Sequence, residues 1–443
     1  MARLKRHRAF SVILALYLTL ALLYGVTIPI FETPDANGHY AYIHELTEGR
    51  GFPVQGTPSG ERVTGYVASH PPVYYSLVAA LTFWIKDYVE LAEWSWRNPY
   101  QTMGDASRTV NKNRLVHTPA EHFPWRGTPL TMHIARLVST ALGMVAVVAV
   151  YGIATELFPD RRWLALGATA LAAFNPMFIF TSARVSNDAA VTAFGSLAIW
   201  GAVRLAARGL PPKGLLLTGA ALGLAALSKL SGVVLAPAVG LALLFDSLRE
   251  WHERQDDPVN QRLKTLGGRW ALVVVTAALV SGWWFARNLI LYDELMGVDA
   301  WLSHTATVRA QPIGVLQVIP ELGGLEKSYW AMFGWFNIAA APWMYVVWRV
   351  VARLSLLGLV LVTFDQFTPR KLARPVQQGL LVLTFALLLN VGSVWRFIMI
   401  VFGAQGRYLM PTTAAISILI MLGMSRLLGD GRRTGLLDAG DGD

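Results

Sequence analysis

The sequence predicts an all-α polytopic membrane protein, a bundle of about ten transmembrane helices with further helices lying along one face of the bilayer. Three observations predict it. Of 443 residues, 54% are hydrophobic and 15% charged, against about 25% charged in an average soluble domain. Apolar runs long enough to cross a hydrocarbon core of about 30 Å as one helix recur along the chain. The lysines and arginines, which leave a net charge of +10, gather in short loops between those runs. That is the pattern of topology determinants, not of a nucleic-acid footprint. There are no cysteines, which excludes a disulfide framework, a thiolate metal site and a cysteine nucleophile.

The first run, Ala9 to Ile30, follows the basic stretch MARLKRHRAF. It is too long for a signal-peptide core and lacks a small-x-small cleavage site before Pro29. It reads as a retained helix with a cytoplasmic N-terminus. Further runs lie at Met132 to Glu156, Trp163 to Ala183, Ala189 to Ala207, Lys213 to Ser228 and Gly232 to Phe245. The last four are Trp270 to Leu291, Pro342 to Phe364, Gln377 to Gly403 and Leu409 to Leu428. The basic loops PDRRW, RLAARGLPPK, the stretch after Phe245, FTPRKLARP and GDGRRTG then fall on one side. The positive-inside rule makes that side cytoplasmic, C-terminus included. The stretch His70 to Lys86 is apolar but short, and a crossing there would invert every later loop. It reads as a helix lying in the interface or entering partway.

The layout predicts one membrane domain over 1–428, with external segments 31–131 and 292–341 and a disordered cytoplasmic tail over 429–443. The external segments carry Tyr88, Trp94, Trp96, Tyr100, Trp125, Trp301, Trp330 and Trp335. These read as headgroup-level anchors on short interfacial helices.

Candidate chemistry sits at the external ends of the spans. Asp35 follows the first span in FETPDANGHY, four residues before His39. A carboxylate at a bilayer rim is costly unless it is used, and as an anion near a bound hydroxyl it can serve as a general base. It can equally cap the helix that follows. Asp188, with Asn187, opens the helix after SARVS, either as its cap or facing the same external pocket, where it positions a sugar hydroxyl or an arginine. Lys229 sits in the tight turn ALSKLSG on the external side, against the positive-inside trend. Arg287 and Arg407 end later spans on that side. Three cations at one depth can converge on a phosphate, or each can contact headgroups alone. In HPPVYY, prolines start a helix, the tyrosines, Tyr74 among them, sit at the interface, and His70 is either solvated or a sugar or phosphate contact. Arg349 and Arg353 share a helix face and suit a polar seam or the cytoplasmic headgroups. No phosphate-binding glycine loop, H-E-x-x-H or G-x-S-x-G motif occurs.

With TPDANGH, HPPVYYSL, IARLVSTALG, NPMFIFTSARVSNDA, ALSKLSG, ARNLILYDELMG and QGRYLMP in that order and sidedness, the chain resembles the GT-C superfamily of membrane glycosyltransferases. It is most similar to the bacterial group related to protein O-mannosyltransferases and aminoarabinose transferases. The resemblance covers nearly the whole chain. It implies an inverting glycosyltransferase of the bacterial plasma membrane with its active site on the periplasmic face. The donor would be a polyprenyl-phosphate sugar and the acceptor a hydroxyl on a glycan, lipid or protein. It implies Asp35 as catalytic base. His39, His70, Tyr74, Asn187 and Asp188 would bind substrate, and Lys229, Arg287, Arg407 and Tyr408 would hold the donor phosphate. The family pattern continues with a glutamate after that first acid. Here Ala36 stands in its place, which leaves no paired carboxylate to hold a metal, so no metal is expected. Asn37 or His39 would compensate. Two other readings stay open, a transporter or lipid flippase and a non-catalytic polyprenyl-lipid binder. A transporter suits charges near mid-membrane, whereas these gather at one end. The transferase reading requires the Asp35 carboxylate and several of the cations Lys229, Arg287 and Arg407 to meet in one outward-opening cavity.

Overall fold

A computed structural model describes residues 2–63, 65–86, 94, 96–369 and 371–429, with no side chains before His7. The calls on Tyr88 and on the tail beyond Gly429 fall outside the described residues. Sixteen helices are described there. The first half holds α1 (Ala2–Thr27), α2 (Ala36–Thr47), α3 (Pro58–Arg62), α4 (Val73–Thr82), α5 (Gly127–Leu157), α6 (Arg162–Ala173), α7 (Pro176–Ser182) and α8 (Asp188–Arg208). The second half holds α9 (Pro212–Ser228), α10 (Ala236–Glu253), α11 (Val259–Tyr292), α12 (Val298–Leu302), α13 (Leu322–Trp330), α14 (Pro342–Asp365), α15 (Arg374–Ile400) and α16 (Thr413–Leu427). One two-residue hairpin, Met332–Phe333 with Ile338–Ala339, is the only described sheet.

Eight described helices are long and apolar enough to cross a membrane, counting the short turns that lead into α10 and α16. The pair α6 and α7 makes a ninth as one span bent by 61°. The bend has a local cause: Asn175 caps α7 through Met177 N and Phe178 N, and Pro176 occupies its first position. Helix α9, with 17 residues, runs about 25 Å at 1.5 Å per residue. It packs between α8 and α11 and is apolar but shorter than the eight helices counted as spans, so the described residues hold eight spans, or nine with the bent pair, against about ten expected.

Contacts at the helix ends define one pole of the bundle. Arg208 at the end of α8 pairs with Glu156 at the end of α5 at 2.9 Å. Buried Asp246 on α10 accepts from Arg269 on α11 at 2.6 and 2.9 Å, and Arg269 also donates to Leu210 O. Arg426 on α16 binds Asp365 at the end of α14 at 2.5 Å. The described parts of the basic loops therefore lie together, and the opposite pole receives the ends of α1, α7, α9, α11 and α15. Apolar side chains fill the centre from α5, α6, α8, α9, α10, α15 and α16. On α11 and α14, Leu279, Ile290, Trp343 and Leu356 point outward, which is stable in lipid and not in water. Helices α14 and α16 cross in backbone contact. A Cβ at Gly358 would lie 1.9 Å from Gly423 O, so neither position tolerates a side chain.

Helix α4 has ten residues, about 15 Å at 1.5 Å per residue, half of what a crossing needs. Tyr74, Tyr75 and Val78 are buried while Leu77, Leu81, Phe83 and Trp84 are exposed, the profile of a helix lying along the rim. The two long segments at this pole are stitched together. Glu32 accepts from Arg114 N, Leu115 N and His117 Nε2 at 2.8 to 3.0 Å. Asn337 donates to Lys112 O, Trp335 donates to Phe31 O, and the Arg114 guanidinium lies 3.6 Å over the Trp335 ring. The anchor reading suits exposed Trp96 and Tyr100. It is corrected for Trp330, which is buried and stacked on Trp348, and for Trp301, which packs against Tyr66 and Phe397 inside the site.

Candidate functional site

A cavity of about 350 Å³ opens at the pole away from the basic loops. One wall is polar and holds Asp35, His39, His70, Asn187, Asp188, Lys229, Arg407 and Tyr408. The other is apolar and holds Trp284, Phe285, Val298, Trp301, Val394 and Phe397 from α11, α12 and α15, with Met296 from the turn before α12.

Asp35 takes a left-handed backbone at φ 66°, just before α2, and its side chain makes no capping bond. The carboxylate instead accepts from Arg407 Nη2 at 2.8 Å. Burial alone would raise its pKa, but Arg407, with His39 and Arg184 nearby, outweighs burial and holds the carboxyl near about 2. Asp188, the first residue of α8, is buried among cations. It pairs with Arg184, accepts from Lys229 Nζ at 2.6 Å and lies 3.8 Å from Arg407 Nη1. Lys229 reaches it because α9 stops at Ser228 and the chain turns sharply, with Gly232 packed on the backbone of Ala225. Arg407 is placed by Gly406, where a Cβ would lie 2.1 Å from Tyr329 N.

Among the described residues of this cluster, three cations (Arg184, Lys229, Arg407) face two carboxylates (Asp35, Asp188). One positive charge is in excess. Arg407 Nε and Arg184 Nη1 have no acceptor among the described residues, so the cluster can still bind an anion. The histidines add none to this charge: burial first of all pushes His39 down to about 3 and His70 well below its usual value. His39 Nδ1 lies 2.7 Å, and His70 Nδ1 3.0 Å, from the hydroxyl of Tyr75. Asn187 Nδ2 donates to Ser228 O at 2.9 Å and lies 3.4 Å from His70 Nδ1.

The structure thus brings together Asp35, His39, His70, Asn187, Asp188, Lys229, Arg407 and Tyr408. It does not bring in Arg287 or Tyr74. Arg287 donates to Pro53 O at 2.9 Å and lies over the outer side of Trp284, clamping the 52–53 loop. Tyr74 is fully buried against α5, bonded to Ser139 Oγ at 2.9 Å and Ala135 O at 3.2 Å. Sequence reasoning missed Arg184, Tyr66 and Tyr75. Arg184 had a signal, an arginine one helical turn before Asp188. No group of three or more His, Asp or Glu able to hold a metal occurs among the described residues.

The helical bundle shares its fold with solved structures of the membrane protein ArnT. The solved structure of ArnT from Cupriavidus metallidurans in the apo state superposes with a TM-score of 0.53 at 14% identity, over 95% of this chain and 61% of that one. The same protein bound to undecaprenyl phosphate gives 0.51 at 15% identity, over 94% and 60%. The S. cerevisiae protein O-mannosyltransferase Pmt1-Pmt2 complex bound to the sugar donor gives 0.41 at 17% identity, over 64% and 34%. The chain spans about three fifths of the length of the ArnT structures it matches. The family model described as dolichyl-phosphate-mannose-protein mannosyltransferase matches residues 129–281, from α5 into α11. No curated protein sequence matches the chain.

Proposed function

We propose that this protein is an inverting glycosyltransferase. It moves a sugar from a polyprenyl-phosphate donor to an acceptor hydroxyl, on a glycan, lipid or protein, at the external face of a bacterial plasma membrane. The observation that carries the reading is the shared guanidinium of Arg407, which joins Asp35 to the Asp188–Lys229–Arg184 cluster beside an apolar wall. A polyprenyl-phosphate sugar is a phosphodiester with one negative charge, and the cluster carries one positive charge in excess. The apolar wall suits the isoprenoid tail, and the ArnT structure of the same fold was solved with undecaprenyl phosphate. The basic loops lie at the pole opposite the cavity, which by the positive-inside rule supports an external site.

In the reaction, the donor phosphate takes hydrogen bonds from Arg407 and Lys229 and loosens their hold on the carboxylates. The acceptor oxygen attacks the anomeric carbon from the face opposite the phosphate. The bond from that carbon to the phosphate oxygen breaks with its electron pair going to the phosphate, where the cations stabilise the growing charge. The acceptor proton passes to the Asp35 carboxylate. One displacement without a covalent enzyme intermediate inverts the anomeric centre.

Mass spectrometry of lipid co-purifying with the protein tests the donor class. Polyprenyl phosphate or its glycoside supports it, and ordinary phospholipid alone favours a transporter. In reconstituted vesicles, Asp35→Asn should lose transfer by about 10²–10⁴-fold while polyprenyl-phosphate binding persists. Full transfer by that variant would refute the base assignment.

A further inference from the structure

We propose that Tyr75 locks the two cavity histidines into opposite tautomers, and that the resulting donor and acceptor read a hydroxyl group of the transferred sugar. The sugar assignment rests on the transferase reading; the lock rests on the hydrogen-bond geometry and on the burial of both rings.

The Ser228 carbonyl can only accept, so the Asn187 atom 2.9 Å from it is the amide nitrogen. That nitrogen also faces His70 Nδ1 at 3.4 Å, too far to fill its single lone pair but too close to face a second N–H. His70 Nδ1 therefore carries a lone pair, and its proton sits on Nε2. The Tyr75 hydroxyl has one proton and lies 3.0 Å from this Nδ1, to which it donates. Towards His39 Nδ1, 2.7 Å away, it can then only accept. His39 is therefore protonated on Nδ1 and keeps Nε2 bare. Burial keeps both rings neutral, so neither tautomer is overridden by a second proton.

Both histidines line the cavity, with ring centroids 5.8 Å apart. One N–H donor and one lone pair on neighbouring rings of the cavity wall match the donor and acceptor of a hydroxyl group, or of two adjacent ring hydroxyls, through hydrogen bonds of about 2.8–3.0 Å. A carboxylate or phosphate would meet the bare His39 Nε2 as a repulsive partner, so these two rings select the neutral polyhydroxylated part of the donor while the cations of the same wall take its phosphate. Tyr75 does not line the cavity. It is a positioning residue held by stacking on Tyr42 at 4.0 Å.

Nitrogen-15 spectra of histidine-labelled full-length protein in nanodiscs test the lock. Protonated and bare ring nitrogens are resolved there, and His39→Asn and His70→Asn assign the two rings. The wild type should show one ring protonated on Nδ1 and the other on Nε2, unchanged between pH 5 and 8. Two rings of the same tautomer would overturn the proposal, and this outcome needs no variant at position 75. Tyr75→Phe should release His39 from its Nδ1-protonated form; an unchanged His39 spectrum would also overturn it. For the sugar contact, binding of polyprenyl phosphate is compared with binding of polyprenyl-phosphoryl mannose. Tyr75→Phe should weaken the glycoside by about tenfold, the value of one or two hydrogen bonds, and leave the bare phosphate unaffected. Equal losses would overturn the hydroxyl contact. If neither lipid binds the wild type, the transferase reading and its sugar contact fail together, while the spectra still decide the lock.

Discussion

Asp188→Asn keeps the shape of the side chain and removes its charge from the centre of the cation cluster. Asp188 is 3% exposed, with Lys229 Nζ at 2.6 Å, Arg407 Nη1 at 3.8 Å and Arg184 in contact. Removing one partner of a buried ion pair costs about 3–5 kcal/mol, because the other charge stays buried. Arg184 is fully buried and has no route to water. The variant should therefore lose roughly that 3–5 kcal/mol, read as a clear fall in Tm in detergent. Adding Arg184→Gln removes the stranded cation. The double variant should then melt above Asp188→Asn alone, with a coupling of about 0.5–3 kcal/mol between the two sites. Asp188→Asn also leaves the cluster with two positive charges in excess, so polyprenyl phosphate should bind more tightly. Asp35→Asn makes a control, since its side chain is 23% exposed to the cavity and its stability loss should be much smaller. A wild-type Tm for Asp188→Asn, or strictly additive losses in the double variant, would refute the account of the cluster.

Arg407→Gln should weaken polyprenyl-phosphate binding in a lipid-binding titration by about 1.5–3 kcal/mol, the worth of a hydrogen bond to a charged group. Arg287→Ala should leave that affinity unchanged, and equal losses would return Arg287 to the site. Gly406→Ala touches no substrate, yet its Cβ would meet Tyr329 N at 2.1 Å and shift Arg407. Donor binding should fall much as in Arg407→Gln, and unaltered binding would count against backbone placement of that arginine. His117 is part-buried; burial lowers its pKa, but hydrogen bonds to Glu121 and Glu32 more than offset this and raise it to about 9. Because the folded value lies above the usual 6.5, the stabilisation is complete below that pH and is lost as pH rises through about 9. Proteolysis of the 96–122 segment should accelerate above pH 9 in the wild type and show no such step in His117→Gln.

The spans were legible because lipid demands long apolar runs, and their edges were marked by charge. Sidedness placed Asp35, Asp188, Lys229 and Arg407 at one pole, but sidedness does not fix the direction a side chain takes around its helix. On α11, Trp284 and Asn288 are one turn apart and both line the cavity. Arg287 is rotated about 100° from Asn288 at 3.6 residues per turn, and so meets the 52–53 loop. Tyr74 and Tyr75 differ in the same way on α4, one facing α5 and the other the histidines. The helical period resolves such choices once one residue of the stripe is known, and the sequence alone gave no such anchor. Arg184 was hidden for another reason. A fully buried arginine is read from sequence as a loop residue, because only its partner, Asp188, makes its burial tolerable.

The left-handed turn at Asp35 removes one of the two readings its position allowed, the helix cap. A cap needs an extended backbone and a side-chain oxygen on the first amides of the helix. Asp35 has neither, and a non-glycine residue in this region holds its conformation against a cost of order 1–3 kcal/mol. What that strain obtains is the 2.8 Å contact to Arg407, across 372 positions of sequence. The next residue accounts for the missing glutamate. Ala36 is fully buried with Ile30, Phe31 and Tyr40 in an apolar cluster beneath the cavity. A carboxylate built at that position starts in this cluster and not beside the cations. The second acid of the cluster comes instead from Asp188, on a different helix and among three positive charges. The two carboxylates that face the three cations thus come from separate segments of the chain, and not from adjacent positions in sequence.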